Sequence, residues 1–327
     1  MLKRIIYIIL ISTIIILGYI VLANTCSYRV LENHNERISV LEEKEQTSVI
    51  VYYTTTNNKY LLPVSFDISA TREVAKRAME NLLAGPPNDF IGNIVPDNTK
   101  LIDLYWQSDI VMVDVTGELK NIVPEHAPLF IDALVATILP LTEGEGLQLL
   151  IEGEVCADLH GVNISEPLNL RPINVVALGK EGQPFVYYLS DDQAMYIVPQ
   201  TIFISLEELA GSNLARRQAE ILLLAMLKGD VEDEGLYSPF FIGTSILDIS
   251  MANRVAIINF SSQMLEYAGG TAAEIMFVNC LTYTLIGLSH IDSVQILIDG
   301  EVYEYLPEGL TIREPLKADK PINYISR

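Results

Sequence analysis

The chain has 327 residues, half of them apolar, and 21 Lys and Arg stand against 42 Asp and Glu for a formal net charge of -21. That length suits about two domains of ordinary size, and the apolar share supports a packed interior and argues against a disordered chain. Binding a phosphate backbone needs clustered Lys and Arg that release counterions, so the acidic balance without any basic cluster excludes a nucleic-acid partner.

Lys3 and Arg4 precede Ile5 to Ala23, which is apolar apart from Ser12 and Thr13. As a helix this stretch spans about 28 Å at ~1.5 Å per residue, close to the ~30 Å of a hydrocarbon core. Positive charge on the short N-terminal side keeps residues 1–4 in the cytoplasm and sends the rest across. The preferred reading is a single-pass transmembrane anchor over residues 5–23, with all that follows outside the cytoplasm. Two alternatives stand beside it. A cleaved signal peptide also begins with basic residues, although its apolar stretch is usually about 7 to 15 residues. Cys26 followed by Ser27 stands where a lipid-bearing cysteine would, although Ala23, Asn24 and Thr25 depart from the usual lipobox. Residues 24–47 are polar, and Leu31, Ile38 and Leu41 are too few for a coiled-coil seam; they read as a solvated stalk.

A hairpin signal opens the folded part: Val49 to Tyr53, a polar turn with Asn57-Asn58, then Tyr60 to Ile68. Thr71 begins a helix on which Val74, Ala75, Ala78, Met79, Leu82 and Leu83 recur at helical spacing, and Gly85-Pro86-Pro87 stops it. Two strands follow, Lys100 to Tyr105 and Ile110 to Val115, then a helix over about 127–139 and a strand ending at the turn dipeptide Glu152-Gly153. The same plan then returns. Val186-Tyr187-Tyr188 and Tyr196 to Pro199 make a second hairpin, followed by a helix over about 214–227 and an acidic loop at 230–234. Strands at 245–250 and 254–260 and a helix at about 271–286 lead to the turn Asp299-Gly300. Pro63 and Pro199 cannot donate to a ladder and belong at a sheet edge or bulge, so partners are expected at the other edge or on the helical face around Arg72, Lys76 and Glu80.

The endings prove the repetition. Gln148 to Leu168 and Gln295 to Leu316 share Ile, Gly-Glu-Val, Leu, Gly, Ile and Glu-Pro-Leu in order, with one residue of slippage at Pro307. A period near 148 residues is domain-sized, which indicates a tandem duplication rather than a solenoid. The expected fold class is α+β: two β-β-α-β-β-α-β domains, 48–172 and 183–321, each a mostly antiparallel sheet packed by two helices, with an insertion near 205–215 in the second. Asp114 and its mate Asn259 lie at strand ends, where short polar residues usually cap the next segment.

This order of elements resembles the GerMN domain of GerM-type sporulation and spore-germination proteins, in tandem. In the first copy the resemblance rests on Val51, Tyr52, Tyr53, Pro63, Gly85, Pro86, Asp114, Gly153, Glu166 and Pro167. In the second it rests on Val186, Tyr187, Tyr188, Pro199, Gly229, Asn259, Gly300, Glu314 and Pro315, with Asp230 and Asn259 departing from the family's usual Pro and Asp. The resemblance implies a non-enzymatic envelope component of endospore formation, with domains similar to those that build rings in secretion-like channels. Envelope or sporulation-channel proteins, peptidoglycan and further copies of the chain are the partners it suggests.

His34, His126, His160 and His290 occur singly, and no zinc, phosphate-loop, dinucleotide or nucleophile-elbow spacing is present. No cofactor or metal is expected. The acidic pairs Glu143/Glu145, Glu152/Glu154, Asp191/Asp192 and Asp299/Glu301 and the run Glu232 to Glu234 keep a glycan hydrolase as the alternative, because such enzymes use two carboxylates about 5 to 9 Å apart. None of these loops has the alternating pattern of a calcium loop. Cys26, Cys156 and Cys280 suggest free thiols rather than a disulfide framework.

Overall fold

The computed structural model describes residues 46–69, 71, 73–176, 181–191, 193, 195–210, 213–229, 235–266 and 269–326. The expected anchor, Cys26, nearly all of the stalk, Arg72, Asp192 and the acidic loop at 230–234 lie outside the described residues. Among those described, no helix is long and apolar enough to cross a membrane.

The first copy runs β1 (Gln46–Thr54), β2 (Leu61–Ser69), α1 (Val74–Ala84), β3 (Leu101–Gln107), β4 (Ile110–Val115), α2 (Ala127–Ile138) and β5 (Gly146–Ile151). The second runs β6 (Gln183–Asp191), β7 (Ile197–Ile204), α3 (Leu214–Lys228), β8 (Ile246–Ala252), β9 (Val255–Phe260), α4 (Gly270–Ile286) and β10 (Ser293–Ile298). The architecture is α+β, and the β-β-α-β-β-α-β order recurs. Its strands do not join into one sheet per copy. The first copy holds a two-stranded hairpin, β1-β2, while in the second the hairpin β6-β7 gains a short third strand, Leu236–Tyr237, antiparallel to β6; each copy also holds a separate three-stranded sheet in the order β3-β4-β5 or β8-β9-β10.

Those three-stranded sheets are mixed for a topological reason. A tight turn joins β3 to β4, so they pair antiparallel; α2 crosses between β4 and β5, so that pair is parallel. The second copy repeats both pairings. The central strand β4 and the parallel strand β5 are buried along almost their whole length, as near-continuous apolar runs should be. Each outer strand carries a bulge, with Ile102 between Leu101 and Asp103 and Leu247 between Ile246 and Asp248.

Local chemistry explains the helices. Ala75, Ala78, Met79 and Leu82 form the buried stripe of α1, which ends at Gly85 with φ 87 before two prolines. Asn213 caps α3 by accepting from the Arg216 N–H at 3.3 Å, and Gly229 closes it in the left-handed region. In α4, Phe277 packs edge-on against Phe240 and Phe260, with ring centroids 5.6 and 5.7 Å away. Phe130 holds the corresponding place in the core of the first copy. The connection from second strand to first helix occupies 205–213 in the second copy but only 70–73 in the first, and Ser205 and Glu208 stabilise the longer one through mutual hydrogen bonds.

Candidate functional site

Two features organise the surface: a junction where the hairpins of the two copies meet, and the free edge of a three-stranded sheet. Residues 48–66 and 73–327 form one compact unit, so the junction lies inside a single body.

The junction is built by two asparagines beyond the Glu-Pro-Leu endings. Asn174 accepts from the Leu61 N–H at 2.8 Å and donates through Nδ2 to the carbonyls of Leu61 and Pro199, both at 2.8 Å. Asn323 accepts from the Ile197 N–H at 2.9 Å and donates to the carbonyls of Ile197 and Pro63, both at 2.8 Å. Each therefore ties one copy's second strand to the other's, related by a pseudo-twofold axis. Proline explains the need: with no N–H at Pro63 or Pro199, β2 and β7 cannot zip directly, and an amide supplies the missing donor. Main-chain bonds extend each contact. The Val176 N–H donates to the Thr201 carbonyl, and the Ile325 N–H donates to the Ser65 carbonyl. The proline edges therefore face each other. Sequence reasoning missed both asparagines, although Pro-Ile-Asn occurs at 172–174 and again at 321–323.

The same axis relates Tyr52 to Tyr188. The Tyr52 N–H donates to Thr137 Oγ1 and the Tyr188 N–H to Thr284 Oγ1, both at 3.0 Å, which fastens each hairpin to its own second helix. This sets Val51 against Tyr187 and Tyr52 against Tyr188, one residue away from the correspondence the Tyr-Tyr dipeptides suggest. Strand alternation then places Val49, Val51 and Tyr53 in the core and turns Ile50 and Tyr52 outward. Val186 and Tyr188 turn outward in the second hairpin, and Tyr187 is buried. Burial raises the phenol pKa of Tyr52 and, with the nearby Tyr52 and Tyr283, that of Tyr188 well above the usual value. The outward residues line a cleft of about 900 Å³ that also touches Pro63 and Pro199.

Among the described residues β3 pairs with β4 alone, so its other edge is open. Its inner face is held by Leu104, while Ile102, Tyr105 and Trp106 are exposed, Trp106 by 54 %. β8 occupies the equivalent edge but offers Leu247, Asp248 and the smaller Ser250 and Ala252 outward, with no aromatic residue among them. On the helical face, Lys76 is half-buried, and Glu80 pairs with Arg77 at 2.8 Å.

The remaining motif residues have these places. Asp114 Oδ1 accepts from the Gly153 N–H at 2.9 Å, and Asn259 Oδ1 accepts from the Gly300 N–H at 2.8 Å. Both glycines have positive φ in the turn after the last strand. Glu166, Pro167, Glu314 and Pro315 are exposed, and the leucines after them pair with Leu147 and Val294. Of the acidic pairs, Glu152 accepts from the Gly117 N–H and Asp191 from the N–H groups of Met195 and Tyr196, so these carboxylates hold turns. Glu274, fully buried, accepts from the N–H groups of Glu308 and Leu310. Among the described residues no group of three His, Cys, Asp or Glu side chains is placed to hold a metal ion. Cys156 and Cys280 are free, and burial pushes the Cys280 thiol pKa up.

Comparison with known proteins agrees with this geometry. The spore germination protein GerM of Bacillus subtilis (strain 168) is 21% identical over 324 residues, covering 92% of this chain and 85% of that protein. The solved tandem GerMN domains of B. subtilis GerM superpose with a TM-score of 0.58 at 17% identity, covering 83% of this chain and 97% of theirs. The family profile described as "Germane: Sporulation and spore germination" matches residues 50–156 and 185–304, one stretch in each copy. The chain belongs to this family and is a GerM-like sporulation and germination protein with tandem GerMN domains.

Proposed function

We propose that the chain is a membrane-anchored, extracytoplasmic component of spore formation or germination, acting by association within the cell envelope rather than by bond-making chemistry. The observation that carries this reading is the free edge of β3 with Tyr105 and Trp106 exposed on it. An unpaired strand edge presents a row of N–H and C=O groups that a partner's strand can join, and exposed aromatic residues are the side chains that most often anchor such contacts. The bulge at Ile102 limits the pairing length and protects against indiscriminate edge-to-edge stacking. A formal net charge of -21 favours a basic envelope or sporulation-channel protein as the partner and disfavours close self-packing at low salt.

Site-specific photocrosslinking from position 107, the exposed end of β3 beside the aromatic pair, in sporulating cells tests this. The expected outcome is one dominant crosslinked envelope protein, lost when Tyr105 is changed to glutamate. Release of glycan fragments by the purified chain, abolished by replacing Glu152 and Glu154, would overturn it in favour of a hydrolase.

A further inference from the structure

The cleft at the pseudo-twofold axis has a chemistry of its own, separate from the β3 edge. Ile50 and Tyr52 from one hairpin and Val186 and Tyr188 from the other line it, and Pro63, Pro172, Pro199 and Pro321 stand along its walls. Those prolines leave the walls poor in backbone donors, so a peptide bound here cannot be held by a β-ladder. What the walls do offer is two phenols. Among the described residues neither the Tyr52 nor the Tyr188 hydroxyl makes a hydrogen bond, and each belongs to a residue whose side chain is largely surrounded by apolar groups. Cations mark both ends. Arg171 and Lys320 are equivalent positions, and both touch the cleft in a chain of net charge -21, with the Asp319 carboxylate lining it beside Lys320. Arg171 pairs with Asp132, whereas Lys320 has no ion pair among the described residues and its carbonyl accepts from the Tyr283 hydroxyl.

From these features we infer that the cleft binds an extended proline-rich peptide with an acidic residue at its end. A polyproline II strand has no internal hydrogen bonds and presents its carbonyls outward. It therefore supplies acceptors for two phenol donors and apolar rings for a cleft lined by tyrosine and proline, which is how aromatic grooves select such segments. An acyl chain would fill the volume but leave both hydroxyls without partners. The acidic end meets Lys320. The pseudo-symmetry is broken at one place that sets polarity: Tyr283 narrows one end, while the equivalent residue at the other end is Ala136. The peptide's bulkier apolar residue is seated beside Ala136.

The test uses the full chain in detergent and a fluorescein-labelled peptide of alternating proline and leucine ending in glutamate, spanning about 28 Å at ~3.1 Å per residue. Fluorescence anisotropy gives the Kd. Tyr52→Phe and Tyr188→Phe should each weaken binding about threefold to tenfold, the worth of one lost hydrogen bond. Lys320→Glu should weaken the acidic peptide but not the analogue that ends in glutamine amide. Ala136→Tyr, which copies the residue at the symmetric position, should abolish binding while the melting curve keeps its shape. Trp106→Ala, at the separate sheet edge, should leave Kd unchanged, so this inference and the β3 reading fail independently. The inference is overturned if the peptide does not bind, if the phenylalanine variants and Ala136→Tyr bind it as well as the parent chain does, or if lysolipid monomers displace it with equal affinity.

Discussion

Asn174 and Asn323 make the same three hydrogen bonds at opposite ends of one pseudo-twofold axis, each satisfying both backbone groups of a residue in one copy and a proline carbonyl in the other. Both also stand in the left-handed region, at φ 49 and 47, where asparagine is tolerated better than other residues with a Cβ. The identity of the side chain and the backbone it needs therefore agree. The consequence is that the two copies, although each resembles a complete domain, share an edge that neither closes alone.

Replacing either asparagine by alanine should cost about 3 kcal/mol in urea unfolding, because backbone groups left unpaired cost roughly 1–3 kcal/mol each and alanine adds backbone strain. Glycine at the same position loses the bonds without the strain and should cost less. In the double variant the single transition should split into two, as the copies lose their shared edge. A double variant that still unfolds in one step with an unchanged midpoint would remove the asparagines from the junction's energetics.

Much of this chain is written in its apolar periodicity. The helices over 74–84 and 214–228 and the pairing of β3 with β4 follow from residue spacing, because helix and strand periods differ and each copy keeps its own. The duplication is readable because its ends carry identical residues. The division into a hairpin and a separate sheet was not readable, since the alternation of β1 and β2 reports one covered face and not which element covers it. The junction escaped for a related reason. Leu61 to Phe66 is buried without a break because the other copy packs on its edge, and a neighbour so distant in sequence leaves no local trace. The Tyr52 and Tyr188 equivalence was hidden by adjacent tyrosines, either of which fits the pattern, until the bonds to Thr137 and Thr284 fixed it.

Alkaline pH should unfold the chain through its tyrosines. Burial raises the Tyr188 pKa, so the folded state keeps a proton that the unfolded chain gives up near its ordinary value of ~10. Above that pH the unfolded state binds fewer protons, so stability falls as pH rises, by up to about 1.4 kcal/mol per pH unit for this group; below it, this group contributes no pH dependence. Urea midpoints between pH 8 and 11 should therefore drop at the alkaline end, and Tyr188→Phe should flatten that drop. An equal slope in the variant would show that the pH dependence arises elsewhere.

Asp114 and Asn259 cap the same turn with different chemistry, which gives a direct comparison. Asp114→Asn should be nearly neutral, since Asn259 already makes this bond to Gly300. Asp114→Ala leaves the Gly153 N–H without its acceptor and should cost about 1–2 kcal/mol. Thermal melts of the two variants distinguish a capping role from a requirement for charge.

Deleting residues 1–27 should convert the chain from a membrane-bound to a soluble protein, since this removes the whole apolar stretch and Cys26. Fractionation in high salt checks this. If the truncated chain still sediments with membranes, attachment lies in the folded part.

The β3 edge yields the prediction nearest to function. Tyr105 and Trp106 are 40 % and 54 % exposed, so about half of each still packs on the protein, and truncating one should lower stability by about 1–2 kcal/mol without unfolding the chain. Association is another matter. A partner strand on this edge would run beside both, with the indole on one face of the sheet and the phenol on the other, and losing such an anchor commonly costs about 2 kcal/mol or more in binding, roughly thirtyfold in Kd. Trp106→Ala should therefore stay folded, with a modestly lower Tm, and lose the envelope crosslink. Changing Leu247, the outward bulge residue of the equivalent edge, to alanine should leave the crosslink intact, because β8 lacks the aromatic pair. If Leu247→Ala and Trp106→Ala reduce crosslinking equally, the partner reads both edges and the aromatic residues are not its anchor.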